Sequence, residues 1–198
     1  MSSLRTLCVF CGSSSGRGDT FLRAAESLGA VLAQQEIELV YGGAHIGTMG
    51  AVANASLAAG GKVIGVMPQR LVEREVAHGS LTELHVVDTM HTRKAKMADL
   101  ADAFIALPGG FGTYDELFEI LTWAQIGMHQ KPIGLLNIAD FYTPLLTFLR
   151  GSVDAGFVQP RHLAMLHVAE TPEALLAKLR AARNADAVPG KWTVATDA

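Results

Sequence analysis

The sequence predicts a doubly wound α/β fold with helices on both faces of a mostly parallel sheet, on three observations. Short apolar, β-branched runs alternate with longer stretches of helical period along the whole chain, as successive βα units require. Three of those runs end in glycine-rich turns on what would be one edge of the sheet, where such folds bind their ligands. The 198 residues, 49% apolar and 18% charged, suffice for one core of ordinary size. Residues 1–185 are read as a single domain and 186–198 as a polar C-terminal tail.

The first strand is expected at 6–10, where Thr6-Leu7-Cys8-Val9-Phe10 runs into Cys11-Gly12-Ser13-Ser14-Ser15-Gly16. A helical period follows over 20–34, then a strand at 38–41 leading into Gly42-Gly43-Ala44-His45-Ile46-Gly47-Thr48-Met49-Gly50. A helix at 49–58 and strands at 62–67 and 83–87 come next, then a helix at 92–100. The strand at 103–107 opens into Pro108-Gly109-Gly110-Phe111-Gly112-Thr113 and a helix over 113–126. Strands at 132–136 and 165–168, with helices at 141–155 and 172–182, complete the alternation.

Several function classes are disfavoured by composition. Net charge is −3 and the sixteen Lys and Arg are scattered, so there is no basic stripe for a nucleic-acid backbone. Apolar stretches such as 103–107 fall far short of a bilayer span, and no basic segment leads into an apolar one at the N-terminus; a cytoplasmic protein is expected. Cys8 and Cys11 form a C-x-x-C, but on a strand residues three apart face opposite ways, so both are read as small core residues. The seven His show no i, i+4 pairing with a carboxylate or Cys cluster, and neither a metal nor a cofactor is expected.

Glycine lets backbone N–H groups approach a ligand closely, so the three loops together suggest a phosphate cradle, with Gly12, Ser13, Gly42 and Gly43 as phosphate or ribose contacts. Neither the P-loop pattern nor G-x-G-x-x-G occurs. Thr113-x-x-Glu116 also has the spacing of a capping box, which accounts for Thr113 and Glu116 but not for Gly109, Gly110 and Gly112. In Met90-His91-Thr92-Arg93-Lys94-Ala95-Lys96, cations fall in the first turn of a helix, against its dipole; that suggests an anionic partner, or else a solvated charged face.

With Pro108-Gly109-Gly110-Phe111-Gly112-Thr113-Tyr114-Asp115-Glu116 and Met90-His91-x-Arg93-Lys94 in view, the sequence resembles the LOG (lonely guy) family of cytokinin riboside 5′-monophosphate phosphoribohydrolases, whose hallmark is P-G-G-x-G-T-x-x-E. The resemblance extends through Val9-Phe10-Cys11-Gly12-Ser13, Tyr41-Gly42-Gly43 and Gly47-x-Met49-Gly50 to Phe157. It implies a Rossmann-like fold and a homodimer. It also implies that Arg93 and Glu116 are the catalytic pair, and that Glu75, Lys94, Gly110, Phe111, Gly112, Thr113, Tyr114, Asp115 and Thr122 line the nucleotide. Tyr114 and Asp115 stand where many members have Leu and Glu. Relatives have often carried the label lysine decarboxylase, yet that chemistry in its usual form needs pyridoxal phosphate on a Schiff-base lysine.

A carboxylate beside the anomeric carbon suits an oxocarbenium-like transition state, the role expected of Glu116. Arg93 stays protonated and is expected to clamp phosphate or ribose and keep Glu116 ionised. Two other readings stand beside this one. The first is an AMP nucleosidase acting on plain AMP; the second is a non-catalytic nucleotide or molybdenum-cofactor carrier, for which the Arg93–Glu116 pair would be superfluous. The stretch 115–128, with Leu117, Phe118, Ile120, Leu121, Trp123 and Ala124, is more apolar than one buried stripe requires and is expected to meet a second subunit.

Overall fold

Strands that are apolar on both faces must be covered on both faces, and that requirement organises this chain. The structure, a computed structural model, describes residues 4–74 and 77–185; Glu75 and the expected tail at 186–198 lie outside the described residues. Seven strands, β1 (Thr6–Phe10), β2 (Glu38–Tyr41), β3 (Val63–Pro68), β4 (Glu83–Val87), β5 (Ala103–Ala106), β6 (Ile133–Leu136) and β7 (Leu166–Ala169), form one sheet in the order β4-β3-β2-β1-β5-β6-β7. Every neighbouring pair is parallel, with Cys8 opposite Val40 of β2 and Phe104 of β5. The mostly parallel sheet of the sequence reading is wholly parallel among the described residues.

The helices are α1 (Thr20–Gln34), α2 (Gly47–Ala58), α3 (Gln69–Val72), α4 (Met90–Leu100), α5 (Phe111–Gln125), α6 (Thr143–Asp154), α7 (Pro160–Leu163) and α8 (Pro172–Arg183). Alternate residues of each strand divide the core. Leu7, Val9 and Cys11 pack with Leu28 and Leu32 of α1, Val52 of α2 and Leu176 of α8. Cys8 and Phe10 face the other way, onto Met97 of α4, Leu117 and Ile120 of α5 and Leu149 of α6. Each fully buried Leu, Ile or Phe contributes roughly 1.5–3 kcal/mol, and Phe104 adds a stacked contact with Phe10 at 5.8 Å between ring centroids. The two thiols are free and buried on opposite sides of the sheet, and burial raises both out of the range of a reactive thiolate.

Two departures from the sequence reading have simple causes. The single-turn helices α3 and α7 and a 3-10 turn at Ile138–Asp140 are too short to carry any periodicity. Helix α5 begins at Phe111, two residues earlier than expected, because Gly110 takes the N-cap position in an extended conformation. Thr113 is therefore inside the helix, and the capping-box reading of Thr113 and Glu116 is incorrect. A capping box does exist one helix earlier: the Thr89 hydroxyl accepts from the Thr92 amide at 3.1 Å, and Thr92 Oγ1 accepts from the Thr89 amide at 3.0 Å.

The chain winds outward from β1 through β2, β3 and β4, then returns to the other side of β1 for β5, β6 and β7. The order therefore reverses between β1 and β5, and the crevice beyond their carboxyl ends is where such a sheet receives a ligand. Among the described residues, no helix is long and apolar enough to cross a membrane.

Candidate active site

Two layers meet at the switch point. The outer one is a cavity of about 260 Å³ bounded by Gly12, Ser13, Ser14, Ser15 and Gly16 after β1, Thr48 at the start of α2, Pro108, Gly109 and Gly110 after β5, and the rings of Phe21 and Phe141. The β1 loop is held by one hydroxyl: Thr48 Oγ1 accepts from the Gly12 amide at 2.9 Å and lies 3.1 Å from the Gly12 carbonyl, to which it donates. The Met49 amide donates to the same carbonyl at 3.2 Å. The β5 loop is held from the other side, where Tyr142 Oη donates to the Leu107 carbonyl at 2.6 Å. Tyr142 is in turn fixed by Asn137, whose Oδ1 accepts from the Tyr142 amide at 2.7 Å.

The N-termini of α2 and α5 carry amides without intrahelical acceptors and bring partial positive charge to this cavity. Thr113, the third residue of α5, is 2% exposed, and its hydroxyl has no hydrogen-bond partner among the described residues. A buried hydroxyl left unpaired costs about 1–3 kcal/mol, so an incoming oxygen acceptor would relieve it. Gly109 leaves the room this hydroxyl occupies: a Cβ there would lie 2.2 Å from Thr113 Oγ1.

The inner layer is an ion pair. Arg93, on the first turns of α4, and Glu116, in the second turn of α5, approach to 3.2 Å between Nη2 and Oε1, with side chains only 10% and 8% exposed. Arg93 is aimed by a second bond, Nε to the carbonyl of Val66, within β3, at 3.1 Å. Burial raises the Glu116 carboxyl to about 7, against the downward pull of Arg93. A carboxyl poised near neutrality beside a permanent cation is the combination expected of a group that exchanges protons or faces developing positive charge.

The structure sorts the residues singled out in the sequence. Gly12, Ser13 and Gly110 line the cavity, Arg93 and Glu116 meet directly, and Thr113 packs against Gly109 of the cavity wall. Gly42 does not line the cavity; a Cβ on it would lie 2.1 Å from Arg93 Nη2, so its bare backbone is the seat of the guanidinium. Gly43 turns at a positive φ of 80° under Leu84 and Met67. Phe111 is 91% exposed at the mouth of α5, followed by the exposed Gly112. Tyr114 and Asp115 lie on the outward side of α5 with Phe118, Glu119, Thr122 and Trp123 around a shallow depression. Thr122 lies six residues beyond Glu116, on another side of the helix, its hydroxyl donating to the Phe118 carbonyl at 2.6 Å. Lys94 is paired with Asp115 and with Glu119, each at 3.0 Å.

Thr48, Phe21, Phe141 and Tyr142 went unremarked in the sequence. Thr48 had a signal, a hydroxyl residue opening a helix after a glycine turn; the two Phe and Tyr142 carry none, because only the tertiary fold brings residues 21 and 141 beside residue 12.

A family model described as "Possible lysine decarboxylase" matches residues 49–179. A relative from Rhodococcoides fascians, named cytokinin riboside 5′-monophosphate phosphoribohydrolase, is 47% identical over 177 residues, covering 89% of each chain. The rice (Oryza sativa subsp. japonica) protein of the same name, LOG, is 48% identical over 178 residues, 90% of this chain and 74% of its own. Among solved structures, the molybdenum cofactor binding protein of Rippkaea orientalis superposes with a TM-score of 0.67 over 91% of this chain and 98% of its own at 22% identity. The molybdenum cofactor carrier protein of Chlamydomonas reinhardtii gives 0.66 over the same shares at 20%. These two share the fold; the sequence relatives share, over most of their length, far more than that. On those matches, the chain carrying this glycine cradle and this buried Arg93–Glu116 pair belongs to the LOG family.

Proposed function

We propose that this protein hydrolyses the N-glycosidic bond of cytokinin riboside 5′-monophosphates, N6-modified forms of AMP, releasing the free base and ribose 5-phosphate. The observation that carries the proposal is the Arg93–Glu116 pair, 3.2 Å apart and almost wholly buried, one helical turn beyond the glycine turn that opens α5. A pure carrier would need the cradle but would gain nothing from burying a carboxyl raised to about 7.

In this reading the 5′-phosphate occupies the cavity between the β1 and β5 loops, accepting from the free amides of α5 and from Thr113 Oγ1. Binding the phosphate there supplies energy remote from the bond being broken, which orients the ribose. Glu116, ionised, faces the positive charge that develops on the anomeric carbon and orients or deprotonates the attacking water. Arg93 holds Glu116 in place and clamps ribose or phosphate oxygens. No step calls for a metal or an organic cofactor. The dephosphorylated riboside is then a poor substrate.

The same reading makes the protein a cytoplasmic homodimer with no nucleic-acid partner. Support for the dimer lies on α5 and α6. A groove of about 220 Å³ lined by Phe118, Leu121, Leu149, Val158 and Leu163 is flanked by Phe148 and Phe157, 67% and 83% exposed, which is costly to leave in water.

The test is to incubate the protein with isopentenyladenosine monophosphate, AMP and isopentenyladenosine, measuring free base and ribose 5-phosphate, beside folded Glu116→Gln and Arg93→Ala. Release from the N6-modified monophosphate, lost in both variants, is expected; preferential release from AMP would make the protein an AMP nucleosidase, and binding without release would make it a carrier.

A further inference from the structure

We propose that Tyr142 is a positioning residue for the phosphate end of the site: its hydroxyl fixes the root of the loop after β5, and the turn from Asn137 to Phe141 holds that hydroxyl in place. The kinetic part of this inference rests on the hydrolase reading above.

The glycines that line the cavity after β5, Gly109 and Gly110, do little to hold themselves, because glycine restricts the backbone less than any other residue. The strand ends at Ala106. Leu107 is still tied to β1, its amide donating to the Phe10 carbonyl at 2.9 Å, and its own carbonyl accepts from Tyr142 Oη at 2.6 Å, short for a hydroxyl donor. Pro108 comes next, already in the cavity wall and with no amide to donate. The loop is therefore fixed through Leu107, one residue before the ligand's expected place. Tyr142 is 1% exposed, and burial raises its phenol, so the hydroxyl remains a donor at any working pH.

What delivers the hydroxyl is a turn held from both sides. Asn137, the first residue after β6, donates from its backbone amide to the carbonyl of Ala169, the last residue of β7, at 2.8 Å. Both ends of its buried side chain are engaged: Oδ1 accepts from the Tyr142 amide at 2.7 Å and Nδ2 donates to Thr143 Oγ1 at 3.2 Å. Thr143 donates in turn to Asp140 Oδ1 at 2.9 Å. Between these bonds Ala139 and Asp140 stand at φ of 48° and 57°, a left-handed conformation that residues with a Cβ keep only where the surroundings impose it. The same turn carries Phe141 into the cavity wall, where its ring meets Phe21 edge-on at 5.6 Å and Tyr142 edge-on at 5.0 Å. One structure thus sets both the aromatic wall of the cavity and the root of its glycine loop.

The experiment compares Tyr142→Phe, Asn137→Ala and their double variant with the wild type in the full chain. It reads the affinities of inorganic phosphate and ribose 5-phosphate by calorimetry, kcat/KM for isopentenyladenosine monophosphate and for isopentenyladenosine, thermal unfolding, and the Gly109 and Gly110 amide signals in ¹H–¹⁵N spectra. Tyr142→Phe keeps the ring and its packing. It should weaken both phosphate ligands about tenfold and lower kcat/KM for the monophosphate about tenfold to a hundredfold, with both glycine signals displaced. The slow turnover of the riboside, which has no phosphate to place, should stay unchanged. Asn137→Ala should show the same selective loss, and the double variant no more than Tyr142→Phe alone, because residues that act through one contact are not additive. Equal losses on monophosphate and riboside, in step with the melting temperature, would make the turn a matter of stability alone and overturn the proposal. Unchanged phosphate affinity and glycine signals in Tyr142→Phe, or losses that multiply in the double variant, would overturn it as well. Should the wild-type protein release no base, the hydrolase reading falls, and the phosphate affinities with the glycine signals decide the role of Tyr142.

Discussion

Replacing Gly42 by Ala adds one methyl group at the place where the Arg93 guanidinium rests. The new Cβ would lie 2.1 Å from Nη2, 3.2 Å from Cζ and 3.1 Å from Met49 Sδ, whereas non-bonded atoms settle at roughly 3.5 Å or more. Nη2 must therefore retreat by about 1.4 Å, and it is the atom that lies 3.2 Å from Glu116. The guanidinium cannot swing freely, because Nε is engaged with the Val66 carbonyl. A misplacement of this size costs on the order of a hundredfold in rate, or about 2.7 kcal/mol of transition-state stabilisation. The assay is kcat/KM for isopentenyladenosine monophosphate at pH 8, with circular dichroism to confirm the fold. Gly151→Ala is the matched control: it sits inside α6 with nothing within 4 Å of its Cβ position, and it should leave kcat/KM unchanged while adding about 0.5–1 kcal/mol of stability. A folded Gly42→Ala protein within threefold of wild type would show that the seat of Arg93 does not govern catalysis.

Three further outcomes follow from the same geometry. On the proposed mechanism Glu116 acts ionised, and with its carboxyl raised to about 7 by burial, kcat/KM should fall tenfold per pH unit below about 7 and level off above it; a limb centred near 6 would instead report the substrate phosphate, whose second ionisation lies at roughly that value. Asp102 accepts from the Arg5 and Thr6 amides at 2.9 and 3.1 Å and from Arg183 at 2.8 Å. Although burial opposes them, these bonds hold its carboxyl below the ordinary value. Asp102→Ala should therefore cost about 1–3 kcal/mol in urea unfolding at pH 7. That cost should shrink as pH falls below the usual aspartate range, since a depressed carboxyl loses its contribution there; a gap independent of pH would refute the assignment. Finally, Phe148→Glu with Phe118→Lys should yield monomers in sedimentation equilibrium, and an unchanged assembled mass would place the subunit contact elsewhere.

The strands were legible because the apolar runs at β1, β2 and β4 are bounded by turn residues, and their limits agree residue for residue with the sequence reading. Arg93 and Glu116 were legible through a local motif each, and the structure brings them together across two helices. The rest required distances between segments that no window contains. At Gly42 a glycine cluster signals close approach, and the structure shows Arg93 approaching it, a partner that no sequence window contains. The partners of Lys94 on the other helix, Asp115 and Glu119, are likewise out of reach of sequence spacing, which relates residues within one helix only. Thr113 had the spacing of a cap, and only the two extra residues at the start of α5 reveal that its hydroxyl is buried and unpaired.

The hydroxyl of Thr48 closes both the amide and the carbonyl of Gly12, so this half of the cradle is already in its final shape before any nucleotide arrives. The amides at the start of α5 have no such partner within their helix. Hydrogen exchange should separate the two halves in time: the Gly12 amide slow with or without a nucleotide, the first amides of α5 fast alone and protected only once a phosphate is bound. Binding would then cost ordering on one side of the ligand only, and the rate at which ribose 5-phosphate leaves would be set by how quickly the α5 amides and Thr113 release it, with no rearrangement of the β1 loop required.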